Sequence, residues 1–185
     1  MDVVQILSPP RGEPLTWRDL EDRPDDGRRY ELNDGVLIVT PAPAWFHQRA
    51  VAGLYRTLYA ACPAHLEVLF APLDVRLAED TVLQPDLLVV RIAEMTQRGL
   101  IGHEPVLAVE VLSPGTRSID LHHKLERFER AGCPSYWVVD PDAPSLTVWQ
   151  LREGRYVEAA NVTDEARFDT AMPYDLRVVP AQLVR

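Results

Sequence analysis

Two acidic residues stand in apolar segments that otherwise have the composition of buried β-strands. Asp86 directly precedes the apolar run 87–90, and Glu110 lies inside the run 106–112, between alanine, valine and leucine residues. Lys124 follows the second run by twelve residues and is the only lysine of the chain, whose other 18 basic residues are arginines. Two carboxylates on neighbouring strands, with a lysine nearby, are typical of sites where a divalent metal assists hydrolysis of a phosphate ester.

Each acid also has a purely structural interpretation. The period of two in a strand places Glu110 on a face that is otherwise apolar, where an unpaired carboxylate costs several kcal/mol. An arginine such as Arg117 or Arg49 would satisfy it without any catalytic role. Asp86 follows a proline and would serve equally well as the cap of a turn. Because adjacent strands lie about 4.8 Å apart, the pair of acids nevertheless favours a shared cation.

Three further residues complete the set of candidates. Lys124 lies at the border of the buried stripe of a predicted helix, where its stem can follow the core, although an ordinary ion pair with Asp120 at i−4 is the alternative. Its being the sole lysine favours a specific need for a compact ammonium group. Glu31, in a predicted hairpin, is a third candidate acid, and His47, in the first turn of a predicted helix, is a candidate contact for phosphate. Both would by default be solvated.

These residues belong to a predicted α/β arrangement within a single domain of 185 residues. The segment 106–112, the helix from Ser118 to Ala131 and the strand 136–139 form a βαβ unit, which implies parallel pairing through a right-handed crossover. Residues 1–27 are predicted to form an N-terminal arm, with one helical turn after Thr16. The other predicted elements are a hairpin over 28–40, a helix over 45–61, strands at 66–70, 74–77 and 86–91, a polar turn at 78–81, an irregular connection over 92–105, a second hairpin over 146–159 and a strand at 176–179.

Composition and charge narrow the class of protein. The chain is 46% apolar and 25% charged, as in globular proteins, and its net charge of −9 argues against a surface that covers duplex DNA with basic residues. No apolar run reaches the roughly 20 residues that span a bilayer. The expectation is a soluble, cytoplasmic protein, with Cys62 and Cys133 as small buried hydrophobic residues. Nucleotide-binding glycine loops, serine-hydrolase elbows and zinc motifs are absent from the sequence.

The motifs together resemble those of a known family. Pro85-Asp86, the run Glu110-Val111-Leu112-Ser113-Pro114, Asp120 with Lys124, and the run 136–141 look like the signature of the Uma-two endonuclease family, within the PD-(D/E)xK restriction-endonuclease-like superfamily. The Tyr30-Glu31-Leu32 hairpin and the His47 helix match in order and spacing. The resemblance covers about residues 28–150.

The resemblance implies a mixed central β-sheet flanked by helices, with an added N-terminal β-hairpin. It also implies that Glu31, Asp86 and Glu110 are ligands of Mg²⁺ or Mn²⁺ and that Lys124 is the catalytic lysine, with His47 and Asp120 as accessory residues. The superfamily pattern has its lysine two residues after the glutamate, where this chain has Leu112. Lys124 therefore resembles a migrated form of that lysine.

The function expected from these observations is metal-dependent hydrolysis of phosphodiester bonds in DNA. A non-catalytic module that binds nucleic acid or protein and retains the nuclease fold is the alternative, in keeping with Leu112 and the acidic total charge. Related folds often cut duplexes as dimers, so a homodimer is an open alternative. The sequence does not define the form of nucleic acid that is cut.

Overall fold

The computed structural model describes residues 4–7, 13–21, 23–24 and 26–185. Its first elements are β1 (Gln5–Leu7), α1 (Arg18–Glu21), β2 (Arg29–Asn33), β3 (Val36–Thr40), α2 (Trp45–Ala61), β4 (Leu66–Phe70), β5 (Val75–Ala78), β6 (Thr81–Leu83) and β7 (Leu87–Arg91). They are followed by β8 (Met95–Thr96), β9 (Gly99–Ile101), β10 (Leu107–Val111), α3 (Leu125–Ala131), β11 (Ser135–Asp140), β12 (Ser145–Arg152), β13 (Arg155–Thr163), β14 (Phe168–Thr170), β15 (Leu176–Val178) and α4 (Pro180–Leu183). The predicted arm over 1–27 lies partly outside the described residues.

A six-stranded mixed sheet forms the centre of the fold, in the strand order β13-β12-β11-β10-β7-β4. Strands β10 and β11 are parallel, with Glu110 opposite Val138, whereas β10 and β7 are antiparallel. The predicted βαβ unit and the predicted adjacency of the strands that carry Asp86 and Glu110 are therefore confirmed. The predicted fold class, a mixed α/β sheet with helices packed against it, is also confirmed.

Both faces of this sheet are covered, which explains the continuous apolar runs of its central strands. Leu87 and Val89 of β7 face a core that includes Leu54 of α2. Leu88 and Val90, one residue out of phase, face a second core that includes Phe128 of α3. The alternating side chains of β7 thus pack into two cores, one on each face of the sheet. The same alternation in β10 places Glu110 on the face of Ala108, toward α3.

The predicted first hairpin is confirmed as β2 and β3, and it belongs to a larger sheet than expected. Asp34 and Gly35 adopt positive φ angles of 53° and 71° in its turn, the conformation that two-residue hairpin loops require. A seven-stranded sheet in the order β1-β3-β2-β6-β5-β9-β8 contains this hairpin. Pairing of Leu32 with Val82 brings β2 beside β6, so that Glu31 approaches the residues preceding β7.

Short strands were the main elements missed from the sequence. Strand β6 begins inside the predicted polar turn 78–81, and β8 and β9 lie within the predicted irregular connection 92–105, after a one-turn 3₁₀ helix at Ile92–Glu94. Each has two or three residues, too few to show a period of two. Their conformation is fixed by pairing with distant segments, as β5 pairs with both β6 and β9.

The helix predicted from Ser118 to Ala131 has a different beginning. Ser118 has helical φ and ψ angles and its side chain makes no capping hydrogen bond, so the predicted cap is wrong. The segment Ile119–Lys124 is a π-helix, which continues as α3 to its end at Gly132, where φ is 83°. Widened segments of this kind are rare and often occur at functional sites.

The remaining sequence predictions concern the cysteines, the C-terminal segment and the membrane. Cys133 is fully buried, as expected, whereas Cys62 is half-buried, and neither forms a disulfide. The second hairpin is confirmed as β12 and β13, and the strand near 176–179 as β15. Within the described ranges, no helix is long and apolar enough to cross a bilayer.

Close packing of α2 against the C-terminal helix gives a test of the fold. A Cβ atom added at Gly53 would lie 2.4 Å from the carbonyl oxygen of Leu183. Alanine normally stabilises a helix interior relative to glycine, but here we expect Gly53→Ala to lower the free energy of unfolding by about 1–3 kcal/mol because of overpacking. Thermal and urea unfolding measure the change.

Removal of residues 180–185 provides the control for this prediction. The truncation alone is expected to destabilise the protein, since Pro180 and Leu183 are buried. In the truncated chain, however, Gly53→Ala should no longer be destabilising, because its clashing partner is gone. Additive effects of the two changes would contradict the packing explanation.

Candidate active site

Elements distant in sequence bring their polar side chains together beside the end of β10 and the start of β7, in the central sheet. Four of these side chains are carboxylates and three are basic, and all are buried except the half-buried Arg29. They are Arg29 and Glu31 of β2, His47 of α2, Asp86 before β7, Glu110 of β10, and Asp120 and Lys124 of the π-helix.

The ammonium group of Lys124 lies among three carboxylates. Its Nζ atom is 3.0 Å from Oε1 of Glu31, 3.1 Å from Oε1 of Glu110 and 3.5 Å from Oδ1 of Asp120. The last contact is an ion pair without hydrogen-bond geometry, so Asp120 Oδ1 has no hydrogen-bond partner. Lys124 is only 2% exposed, and its charge is therefore balanced by the protein rather than by water.

Asp86 is held by a different set of donors. Arg29 donates to its Oδ1 at 2.8 Å, and His47 Nε2 donates to its Oδ2 at 3.1 Å. The backbone N–H of Val111 also donates to Oδ2, at 2.9 Å. Because Val111 follows Glu110, this last bond fixes the carboxylate of Asp86 against the strand that carries the second acid.

Gln84 connects the two groups of residues through its backbone. Its N–H donates to Oε1 of Glu31 at 2.7 Å, and its carbonyl oxygen accepts from Arg29 at 3.2 Å. Its side-chain amide donates to Asp74 at 2.8 Å. The segment before β7 therefore orients Glu31 and Arg29 at once, and its conformation determines the relative positions of the acids.

Burial and charge shift the pKa values of these groups in opposite directions. Burial alone would raise the pKa of Asp86, but the hydrogen bond from His47 and the charge of Arg29 hold it well below its usual value. Burial also opposes the charge of Lys124, yet Glu110, Glu31 and Asp120 raise its pKa. Lys124 is thus a stable cation at neutral pH.

The pKa of Glu110 is raised well above its usual value, and that of Asp120 is also raised. Burial is the largest cause for both residues; Lys124 opposes it, and the neighbouring carboxylates add to it. This result follows from the charges present. Four carboxylates share two permanent cations, Lys124 and Arg29, so the cluster has an excess of negative charge.

This excess matches the charge of one divalent cation, and carboxylate oxygens are the ligands that Mg²⁺ and Mn²⁺ prefer. The donor atoms therefore fit such an ion in type and charge. The side chains do not form a ready-made cage: in the part of the chain that the structure describes, no three histidine, cysteine or acidic residues are arranged to hold a metal. The Lys124 ammonium lies between Glu31 and Glu110 instead.

The structure brings together all six candidates from the sequence, and it corrects several alternatives. Glu110 is not paired by Arg117, which binds Asp140, or by Arg49, which lies over Trp45. The ion pair of Lys124 with Asp120 exists but is the longest of three.

The default expectation of solvent exposure was wrong for both Glu31 and His47, which are 1% and 3% exposed. His47 lies on the buried face of α2, together with Ala50 and Leu54, and its Nε2 is within hydrogen-bond distance of Asp86. Asp86 does not serve as the cap of a turn: its side-chain oxygens accept from Arg29, His47 and the N–H of Val111, all distant in sequence, and Oδ1 keeps a free lone pair.

Arg29 and Gln84 were missed in the sequence. Arg29 precedes Glu31 by two residues, so the period of a strand places both on one face, and this spacing was a usable signal. Gln84 acts through its backbone, and no side-chain pattern reveals a role of that kind.

Comparisons with known proteins agree with this architecture. A family model, Uma2, described as "Putative restriction endonuclease", matches residues 17–178. A solved structure from Anabaena variabilis ATCC 29413, described as "a putative nuclease belonging to DUF820", is similar with a TM-score of 0.74 and 16% sequence identity, over 92% of this chain and 98% of that chain. At this identity the likeness shows a common fold. No curated protein matches the chain.

Replacement of the buried ammonium tests its structural role. Lys124→Met keeps most of the side-chain volume but leaves three buried carboxyl groups without their shared cation. We expect the free energy of unfolding at neutral pH to fall by about 3–5 kcal/mol, the usual cost of breaking a buried ion pair. Urea unfolding measures it, and Arg98→Met, at an exposed side chain, is the matched control with an effect within about 0.5 kcal/mol.

The pH dependence of this variant has a defined sign. Burial and the neighbouring carboxylates already raise the pKa values of Glu110 and Asp120 against the effect of Lys124, and loss of the ammonium raises them further. The native state then binds more protons than the unfolded state, so the deficit relative to the natural protein should shrink as pH falls and grow as pH rises. A pH-independent deficit would mean that lost packing, rather than charge, causes the instability.

Proposed function

Because the chain belongs to the Uma2 family, described as "Putative restriction endonuclease", we propose that it is a divalent-metal-dependent nuclease that hydrolyses phosphodiester bonds in DNA. One observation carries the proposal beyond the family. Four carboxylates lie together almost without solvent contact and exceed the permanent cations beside them. A protein gains nothing in stability from such an excess, so the arrangement is best explained by a function that needs it.

Glu31, Asp86 and Glu110 would hold Mg²⁺ or Mn²⁺, with Asp120 as an accessory acid. When bound, such an ion supplies Lewis-acid stabilisation of the charge on phosphoryl oxygens and a template for an attacking water. To leave these carboxylates free to hold an ion, Lys124 would have to give up its contact with Glu31 or Glu110, since its ammonium lies between them. The flexible stem of lysine allows a movement of this kind.

The protein residues have separable roles in this reaction. Lys124 would act as a cation and hydrogen-bond donor to the phosphate, since the carboxylates around its ammonium group raise its pKa. His47 and Arg29 are positioning residues, because they orient the carboxylate of Asp86 through its two oxygens. Arg29 also brings a positive charge to the side of the site where the scissile phosphate would lie.

Glu110→Gln is the sharpest test of the proposal. It removes a buried acid whose pKa is raised by burial and by neighbouring carboxylates, so we expect unfolding stability to be unchanged or higher. The same change removes a ligand, and Mn²⁺-dependent nicking of supercoiled DNA should fall by at least about 100-fold. Nicking gels and thermal unfolding of one preparation measure both effects.

Glu158→Gln, at an exposed position of β13, is the matched control and should change neither property. Lys124→Ala should also abolish nicking, although its lower stability makes it a weaker test than Glu110→Gln. If Glu110→Gln cleaved DNA at the natural rate, the metal-ligand role would be excluded.

Metal binding has a readout that does not depend on cleavage. Mn²⁺ should raise the melting temperature of the natural protein, EDTA should reverse the rise, and Glu110→Gln should abolish it. An ion present at 100 times its dissociation constant adds about 2.7 kcal/mol to stability. The absence of any shift at millimolar Mn²⁺ would argue against a metal site.

A non-catalytic module that binds nucleic acid or protein and retains the fold is the second candidate. The observation in its favour is that Lys124 already occupies the position between Glu31 and Glu110. This candidate predicts binding without a Mn²⁺ shift and without cleavage. Loss of catalysis commonly removes one member of an acid set, and here the full set is present.

A further inference from the structure

A cavity of about 410 Å³ lies beside the acidic cluster. It shares Arg29, Gln84 and Asp86 with that cluster, so a ligand that fills it lies next to the proposed metal ligands. The volume falls within the range of roughly 300–1,000 Å³ that is typical of small-molecule sites. A single nucleotide is a ligand of this size class, whereas a double helix is far too wide to enter.

The lining of the cavity suits a flat aromatic ligand. Tyr30 and Phe70 lie in its wall together with proline residues at 24, 43 and 72. Phe70 is 56% exposed, which is unusual for so large an apolar side chain, and its ring contacts Tyr55 at a centroid distance of 5.4 Å and an interplanar angle of 88°. Exposed aromatic rings held by a neighbour are the usual stacking platforms for unpaired bases.

Positive charge is concentrated at the same cavity. Among the described residues that line it, Arg23, Arg28 and Arg29 stand beside two acids, Asp74 and Asp86. Asp86 is compensated by Arg29, and Asp74 accepts a hydrogen bond from Gln84. Arg28 is exposed, and its Nε lies 3.7 Å from Asp26, a loose ion pair. In a chain with a net charge of −9, this local cluster can meet one phosphate without covering a duplex.

We propose that this cavity binds one unpaired nucleotide of the nucleic-acid strand that is cut. Its base stacks on Phe70, and its phosphate lies beside Arg28 and Arg29 next to the acidic cluster. The preferred substrate is therefore a single strand or a duplex with an extruded nucleotide, because a base inside an intact stack cannot reach the cavity. This inference rests on the proposed nuclease function and adds the structural class of its substrate.

Binding without metal tests the cavity separately from catalysis. The probe is an oligonucleotide with 2-aminopurine at a central position. It is tested with the natural protein in EDTA in three forms: as a single strand, with the 2-aminopurine in a single-nucleotide bulge of a duplex, and fully paired. We expect a fluorescence change with the first two probes and not with the third. Phe70→Ala should weaken their binding roughly 5- to 150-fold, the loss of one stacked base.

Ile92→Ala is the matched control, because Ile92 is also a large apolar side chain with about half of its surface exposed and does not line the cavity. It should keep the affinity of the natural protein. A second variant, Arg28→Ala, should weaken the same two probes and reduce the dependence of binding on salt. Equal binding of all three probes, or unchanged binding by Phe70→Ala, would overturn the cavity assignment.

Cleavage of the same three substrates in Mn²⁺ separates the two hypotheses. If the bulged and single-stranded forms are cleaved faster, and Phe70→Ala loses this preference, both the nuclease function and the cavity assignment are supported. Cleavage of all three substrates at equal rates, by the natural protein and by Phe70→Ala alike, overturns the cavity assignment and leaves the nuclease intact. Binding that depends on Phe70, without cleavage of any form, overturns the nuclease and keeps the cavity. Deoxyribose and ribose versions of the single strand show which sugar is preferred.

Discussion

The contact of one ammonium group with three buried carboxylates is the constraint on which the candidate site depends. Lys124, Glu31 and Glu110 come from the π-helix, the second sheet and the central sheet, and their charges lie out of reach of water. In a medium of low dielectric such charges interact strongly, and separation of any one element from the others would leave them uncompensated. The packing of the two sheets and the position of the helix are thus tied to one electrostatic requirement.

The same requirement explains why the negative charge of the site is only partly balanced. Lys124 compensates only part of the negative charge, and the raised pKa values of Glu110 and Asp120 are the consequence. Asp86 is in the opposite situation, since Arg29, His47 and a backbone N–H all stabilise its charged form. Two halves of one cluster therefore differ in charge balance, and a further cation would be attracted to the half around Glu110.

The sequence defined the central strands well and the outer ones poorly. The strands 86–91, 106–112 and 136–139 were predicted because sheets covered on both faces need continuous apolar runs. Strands β6, β8 and β9 have two or three residues each, and long-range pairing rather than local pattern determines them. Asp86 and Glu110 were found because they are acidic residues in or beside apolar segments. Lys124 was found because it is the only lysine of the chain. Arg29 and His47 resemble ordinary surface residues in sequence, and only the folded chain shows that they face Asp86.

The location of Glu110 on β10 has a consequence for motion. This strand is hydrogen-bonded to β7 on one side and β11 on the other, and all five of its residues are buried. Central strands of this kind open only when the whole domain unfolds, whereas helix ends and edge strands open locally at a much lower free energy. Glu110 is thus the stationary member of the cluster. Rearrangements at the site would fall on the side chains of the π-helix, which approaches Glu110 from outside the sheet.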